Sequence, residues 1–207
     1  MWRLKNNSDP VRVLVPKNDL PKVPALKSSL VDPSKFDLDK VIIDRDEIME
    51  TNPHRHEMML LDGICMLTDE YAVGYADISE DDFWVRGHFP ERPLMPGVLM
   101  CEAAAQLSAY YAKKAKLAET GTVGLGGLDS IKFRGPVVPG DRLVLMLKRG
   151  RVRHNVMFTA EFQGFVKDVL VVDGVIKGVV LNEPGYRTLR GAEEPTKNPV
   201  ESIHKKD

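Results

Sequence analysis

"PGVLMCEAAAQLSAYYAKKAKLA", residues 96–118, is the one long helical candidate in the chain, and the fold turns on how it is read. Pro96 stands at the first turn, where a missing N–H costs nothing. Ala103, Ala104, Ala105, Ala109 and Ala112 are strong helix formers. From Val98 to Ala112 the run is apolar nearly all round, which predicts a buried helix with a sheet wrapped about its first half. The end, at Lys113, Lys114 and Lys116, is amphipathic and wet. Glu102 and Gln106 break the apolar pattern four residues apart, so they lie one above the other on one face.

Working outward, the flanks supply the sheet. Residues 44–52 predict a short helix that stops before Pro53. Residues 58–69 and 71–79 look like two strands joined at Asp69 and Glu70. Residues 122–134, 141–152, 154–164 and 168–181 are rich in Val, Leu, Ile, Met and Phe, with turn signals at "VVPGD" and "RGRVRHN". One helix against many antiparallel strands is an α+β plan. This domain is expected over 44–181. Residues 1–43, with their scattered prolines, predict an extended arm, and residues 182–207 a polar, partly disordered tail.

Bulk properties narrow the function classes. The chain has 207 residues, a net charge of −1, 43% hydrophobic and 29% charged residues, an ordinary globular balance. No global field draws it to nucleic acid or anionic lipid, so neither partner is expected. Two cysteines, Cys65 and Cys101, make no disulfide framework and suit a reducing compartment. No apolar run has the length of a membrane span, and the first ten residues lack a signal-peptide core. A cytoplasmic protein is the expectation.

The chemistry gathers in "GHFPERPLMPGVLMCEAAAQ", residues 87–106. A lone carboxylate at Glu102 amid apolar residues either meets an Arg across a subunit interface or lines an apolar cleft. In the second case desolvation raises its pKa and suits it to donate a proton near neutral pH. His88 follows a strand-like run and precedes a proline-stiffened turn that fixes position with little entropy left to lose. Histidine titrates near neutral pH, so His88 and Glu102 form a plausible acid–base pair. Gly97 and Val98 open the helix, and their N–H groups at its positive end would suit a developing oxyanion. Gln106 either orients the carboxyl or hydrogen-bonds across an interface. Cys101 reads as a small buried apolar residue. His54, His56 and His88 have no cysteine or acidic cluster beside them, so no metal and no cofactor are expected.

These residues resemble a known family. "GHFPERPLMPGVLMCEAAAQ" is similar to the signature of the 3-hydroxyacyl-[acyl-carrier-protein] dehydratases of the FabZ type, which have the hotdog fold. "PHRHEMMLLDGI" (53–64) and "GLDSIKFRGPVVPGDRLVLML" (127–147) resemble two further family segments, in order. Glu91, His56 and Glu57 depart from the pattern, and Gly124 and Leu125 stand where the family often carries aromatics. "MPG" and "QLSAYYA" lean toward the sister dehydratase/isomerase, the FabA type, but that type has Asp at the helix carboxylate, so Glu102 favours FabZ. The resemblance implies an antiparallel sheet around one helix and a homodimer, or a trimer of such dimers. It implies a site shared between subunits, with His88 from one as base and Glu102 from the other as acid. It also implies an acyl carrier protein as partner, for which Arg86, Arg92, Lys132, Arg134, Lys148, Arg149, Arg151 and Arg153 would offer a basic rim. An acyl-thioester hydrolase and a non-catalytic acyl-binding protein on the same fold are the alternatives.

Overall fold

The computed structural model describes residues 29–182; most of the expected arm (1–28) and nearly all of the expected tail (183–207) lie outside the described residues. The long helix, α2, spans Gly97–Lys114. It stops four residues earlier than its alanine content predicts. Lys116 turns left-handed at φ 56°, and the N–H groups of Leu117 and Ala118 reach back to the carbonyl of Ala112. That closing turn buries Leu117 and Ala118, so the apolar pattern continues while the helix does not.

The other elements are β1 (Ile43–Asp44), α1 (Arg45–Thr51), β2 (Gly63–Leu67), β3 (Tyr71–Asp77), β4 (Thr122–Phe133), β5 (Arg142–Arg153), β6 (Met157–Val166) and β7 (Val169–Leu181). The strands form one antiparallel sheet in the order β1-β2-β3-β5-β6-β7-β4. This is the hotdog fold: the sheet curls around α2. Ala103, Ala104, Leu107, Tyr110, Tyr111 and Ala112 of the helix are all within 1% of complete burial. They pack with Leu143, Leu145 and Leu147 of β5, Phe158 and Phe162 of β6, and Val172 and Ile176 of β7.

Residues 58–62 depart from the strand reading. Met58 and Met59 lie at a tight turn and β2 begins only at Gly63. Met59 and Leu61 are buried, which gave the segment its strand-like look. The N–H of Leu60, however, bonds to the Gln106 side chain rather than to a neighbouring strand.

The alternate residues of β5, Val144 and Met146, face away from α2 and join Val73, Phe165 and Leu170 in a second apolar cluster. Residues 30–38 cover it, with Val31 at 3% exposure and Leu30, Phe36 and Leu38 packed beside it. The N–H of Leu30 bonds to Gln163 Oε1 at 2.8 Å, which satisfies a largely buried amide on β6. Both faces of the sheet are therefore apolar and covered here.

Gly178 of β7 faces its register partner, Phe158 of β6. A Cβ at Gly178 would stand 2.3 Å from the Phe158 ring, which is itself 1% exposed. Gly178→Val is expected to lower folding stability by about 1–3 kcal/mol, read as a shifted urea midpoint, because the overpacked ring has nowhere to move.

Candidate active site

The site is built from the start of α2, the loop before it and the segment 52–60. α1 begins at Asp44, whose carboxylate accepts from the N–H of Glu47 at 2.9 Å. It ends at Asn52, whose own N–H returns to Ile48. Asn52 is 2% exposed, and its Nδ2 donates to the carbonyl of Gln106 at 3.0 Å. Pro53 then bars continuation and the chain turns to present His54.

Gln106 ties that segment to the helix. It is 1% exposed. Its Oε1 accepts from Leu60 N–H at 3.1 Å, and its Nε2 donates to Met58 O at 2.7 Å and to Glu102 Oε1 at 2.8 Å. These are bonds within the chain, so the interface hydrogen bond weighed from sequence gives way to a brace between α2 and the 58–60 turn. Gln106→Leu is expected to cost about 1–3 kcal/mol for each buried group left unpaired, with a lowered thermal midpoint as readout.

Glu102 lies one turn before Gln106 and is half-buried. Besides Gln106, its Oε1 meets His54 Nε2 at 3.3 Å. Oε2 has no hydrogen bond among the described residues. The His54 contact, first, holds the Glu102 carboxyl below its ordinary value; burial opposes it and Gln106 adds to it. The expected upward shift by desolvation is thus reversed. Burial acts as anticipated, but two donors outweigh it, and a residue list shows burial more readily than donors.

His88 stands in the turn between β3 and α2. Its Nδ1 lies 2.6 Å from the carbonyl of Leu94, and the N–H of Leu94 returns to the carbonyl of His88 at 2.8 Å. A carbonyl only accepts, so Nδ1 carries a proton, and in the neutral ring Nε2 is the nitrogen with the lone pair. The Phe89 ring stacks on the imidazole at 4.1 Å between centroids. Both rotation and tautomer of His88 are fixed.

Glu102 opens into a pocket lined by His54, Ala105, Ser108, Ala109, Val123, Gly124, Leu125, Ile176 and Gly178. Its volume is about 50 Å³, room for little more than water. His88 is not among its walls. A single chain therefore brings Glu102, Gln106 and His54 together and leaves His88 elsewhere. His54 was considered from sequence only as a metal ligand; its place in the PHR segment was the one signal available. His56 lines a different pocket.

At the helix start, Gly97 has a packing role not foreseen. A Cβ there would stand 2.7 Å from the Phe133 ring, so Phe133 occupies the space left free. The first-turn N–H groups of Gly97 and Val98 have no intrahelical partner. Val98 is 70% exposed. Phe89 and Phe133 are each 54% exposed and Leu125 49%. Among the described residues strand β4 pairs only with β7, and its other edge is open. Burial pushes the Cys101 thiol up, as suits an inert core residue. Of the expected basic rim, Arg134 is bound to Asp173 and Lys148 lies 3.7 Å from Glu70.

The description "FabA-like domain" fits residues 52–175. Over 135 residues the chain is 36% identical to a protein named 3-hydroxyacyl-[acyl-carrier-protein] dehydratase FabZ of Clostridium botulinum (strain Okra / Type B1), covering 65% of this chain and 89% of that one. A protein of the same name from Streptococcus agalactiae serotype V is 38% identical over 107 residues, 52% of this chain and 76% of that one. Among solved structures, the dehydratase heterocomplex ApeI:P from Xenorhabdus doucetiae superposes with a TM-score of 0.57 at 16% identity, covering 69% of this chain and 95% of that one. That likeness concerns the fold.

Proposed function

The chain belongs to the FabA-like family of hotdog-fold dehydratases, and from that premise we infer that it dehydrates 3-hydroxyacyl thioesters to trans-2-enoyl thioesters in fatty-acid biosynthesis, on substrate presented by acyl carrier protein. The observation that carries the site's part of this reading is the opposite preparation of two groups. His88 is held with a proton on Nδ1, which leaves Nε2 as the nitrogen that accepts in the neutral ring. Glu102 Oε1 accepts from Gln106 and lies 3.3 Å from His54 Nε2, while Oε2 has no hydrogen bond among the described residues.

In the proposed reaction His88 Nε2 takes the C2 proton. The C2 electron pair forms the double bond as the C3–O bond breaks with its pair on oxygen. Glu102 Oε2 faces that hydroxyl and hands it a proton, so it leaves as water. The carboxyl is ionised in the empty pocket. Substrate expels water there and strengthens burial, the influence that favours proton uptake. The thioester oxygen, negative in the transition state, is matched by the N–H groups of Gly97 and Val98.

His88 lies outside the pocket of its own chain, and a pocket of about 50 Å³ is too small for an acyl chain. We therefore place the complete site between two protomers, joined along the open edge of β4. A twelve-residue edge strand with Leu125, Leu128 and Phe133 exposed is a liability unless covered, and a second copy covers it. Arg86, Arg92, Lys132, Arg149, Arg151 and Arg153, for which no ion pair appears among the described residues, are the cations offered to an acidic carrier protein.

The direct experiment incubates the protein with 3-hydroxyacyl thioesters of several chain lengths, on carrier protein and on coenzyme A, and follows enoyl absorbance. Absorbance should rise, and faster on the carrier. No enoyl product from any chain length would sink the reading.

A further inference from the structure

We propose that His54 is a positioning residue for this site: an imidazole whose Nε2–H is turned to Oε1 of Glu102 and so leaves Oε2 to the substrate. Only the kinetic part of this proposal rests on the dehydratase reading. Its basis is geometric. Gln106 Nε2 has two protons, and both are used, one on Met58 O and one on Glu102 Oε1. Gln106 thus has no further proton for the carboxylate, and the other nitrogen beside Oε1 is His54 Nε2, at an ion-pair distance of 3.3 Å.

The other ring nitrogen sets the tautomer. His54 Nδ1 is buried and has no hydrogen-bond partner among the described residues. A proton there would be a buried donor with no acceptor, which costs about 1–3 kcal/mol, whereas a bare lone pair is more easily left unmatched. The Nε2–H tautomer is therefore favoured over the Nδ1–H one, with its proton on the side of Glu102. This is the reverse of His88, whose proton sits on Nδ1. One histidine of the site is prepared to donate and the other to accept.

The segment carrying His54 is itself held in place. Asn52 is bonded through Nδ2 to the helix, Pro53 stiffens the next step, and Arg55 Nη1 binds the carbonyls of Asn52 and His54. The charged groups facing Glu102 are few. The pocket walls come from α2, β4, β7 and the segment after α1, and His54 and Glu102 are the only titratable residues among them. In the shared site His88 of the other protomer joins them. Arg55 spends its guanidinium on backbone carbonyls.

The electrostatic result follows. With His54 as the first cause, the Glu102 carboxyl sits below its ordinary value. Its charged form is present above that value and is lost as pH falls through it. Removing His54 takes away the leading stabiliser of the charged form, leaving burial less opposed, so the Glu102 titration should move to higher pH.

The test uses the full-length protein. In wild-type protein labelled with ¹⁵N-histidine, His54 should show the Nε2–H tautomer at neutral pH; an Nδ1–H tautomer overturns the proposal without any mutant. With ¹³C-labelled glutamate, assigned through Glu102→Gln, the Glu102 carboxyl should titrate at higher pH in His54→Ala. In His54→Gln, whose amide can still donate at the same place, the shift should be largely reversed. An unmoved titration in a folded His54→Ala protein overturns the proposal. In kinetics, His54→Ala should lower kcat more than it raises KM, and the acid limb of kcat/KM should move to higher pH. A change in KM alone would make His54 a binding residue and overturn the positioning role. If the wild-type protein makes no enoyl product, the dehydratase reading fails, while the two resonance measurements still decide what His54 does to Glu102.

Discussion

His88→Ala and Glu102→Gln should each lower kcat/KM for a 3-hydroxyacyl thioester by about 10²–10⁴-fold, the range for loss of a positioned acid or base. In His88→Ala the imidazole oriented by the Leu94 carbonyl is lost, and neither that carbonyl nor the Phe89 ring takes a proton near neutral pH. The turn should survive, because its backbone bonds, Leu94 N–H to His88 O and Arg92 N–H to Phe89 O, do not involve the imidazole. Glu102→Gln keeps shape and an oxygen for Gln106 and His54 to hold. The group then facing the substrate hydroxyl is an amide, which can hydrogen-bond but cannot deliver a proton near neutral pH. The loss should therefore fall mostly on kcat. Enoyl absorbance measures it, and a circular-dichroism melt shows that the fold is kept. Full activity in either folded variant removes that residue from the reaction.

Legibility varied with the kind of interaction that decided each element. The helix was readable because its apolar, alanine-rich run is decided locally, by propensity and burial together. The strands from Thr122 to Leu181 were readable from composition and turn signals. The continuous run Leu143–Leu147, "LVLML", carried a further signal: a strand apolar on both faces is covered on both. The structure supplies that cover from residues 30–38, whose Leu30, Val31, Phe36 and Leu38 have no period of their own. Residues 58–62 misled because burial was real and the hydrogen-bond partner was distant. Leu60 bonds to a side chain 46 positions later. The same reason hid His54. It sits in a loop before β2 and meets Glu102 only because Asn52 and Gln106 pin that loop to α2. The charge state of Glu102 was misjudged for a related cause: its apolar neighbours are in the sequence, but its two donors are a product of folding.

Mixing two inactive variants should restore activity, and this is the sharpest test of the shared site. Take His88→Ala and Glu102→Gln protein in equal amounts and allow subunits to exchange. If protomers associate at random, half of the dimers are mixed. In a mixed dimer one site has both defects. The other combines His88 from the Glu102→Gln chain with Glu102 from the His88→Ala chain and is intact. One site in two, in half of the dimers, gives about a quarter of the wild-type rate. A site contained in one chain predicts no recovery, since every site then keeps one defect whatever its partner. The geometry favours the first outcome. His88 is not a wall of the pocket that holds Glu102. The apolar edge of β4, with Leu125 and Phe133 about half exposed, is where a second copy would bring it. Exchange must be shown separately, by energy transfer between labelled chains or by the mass of mixed dimers. With exchange shown, a rate that stays at the level of the single variants rejects the shared site, and recovery near a quarter fixes both its composition and the number of chains that build it.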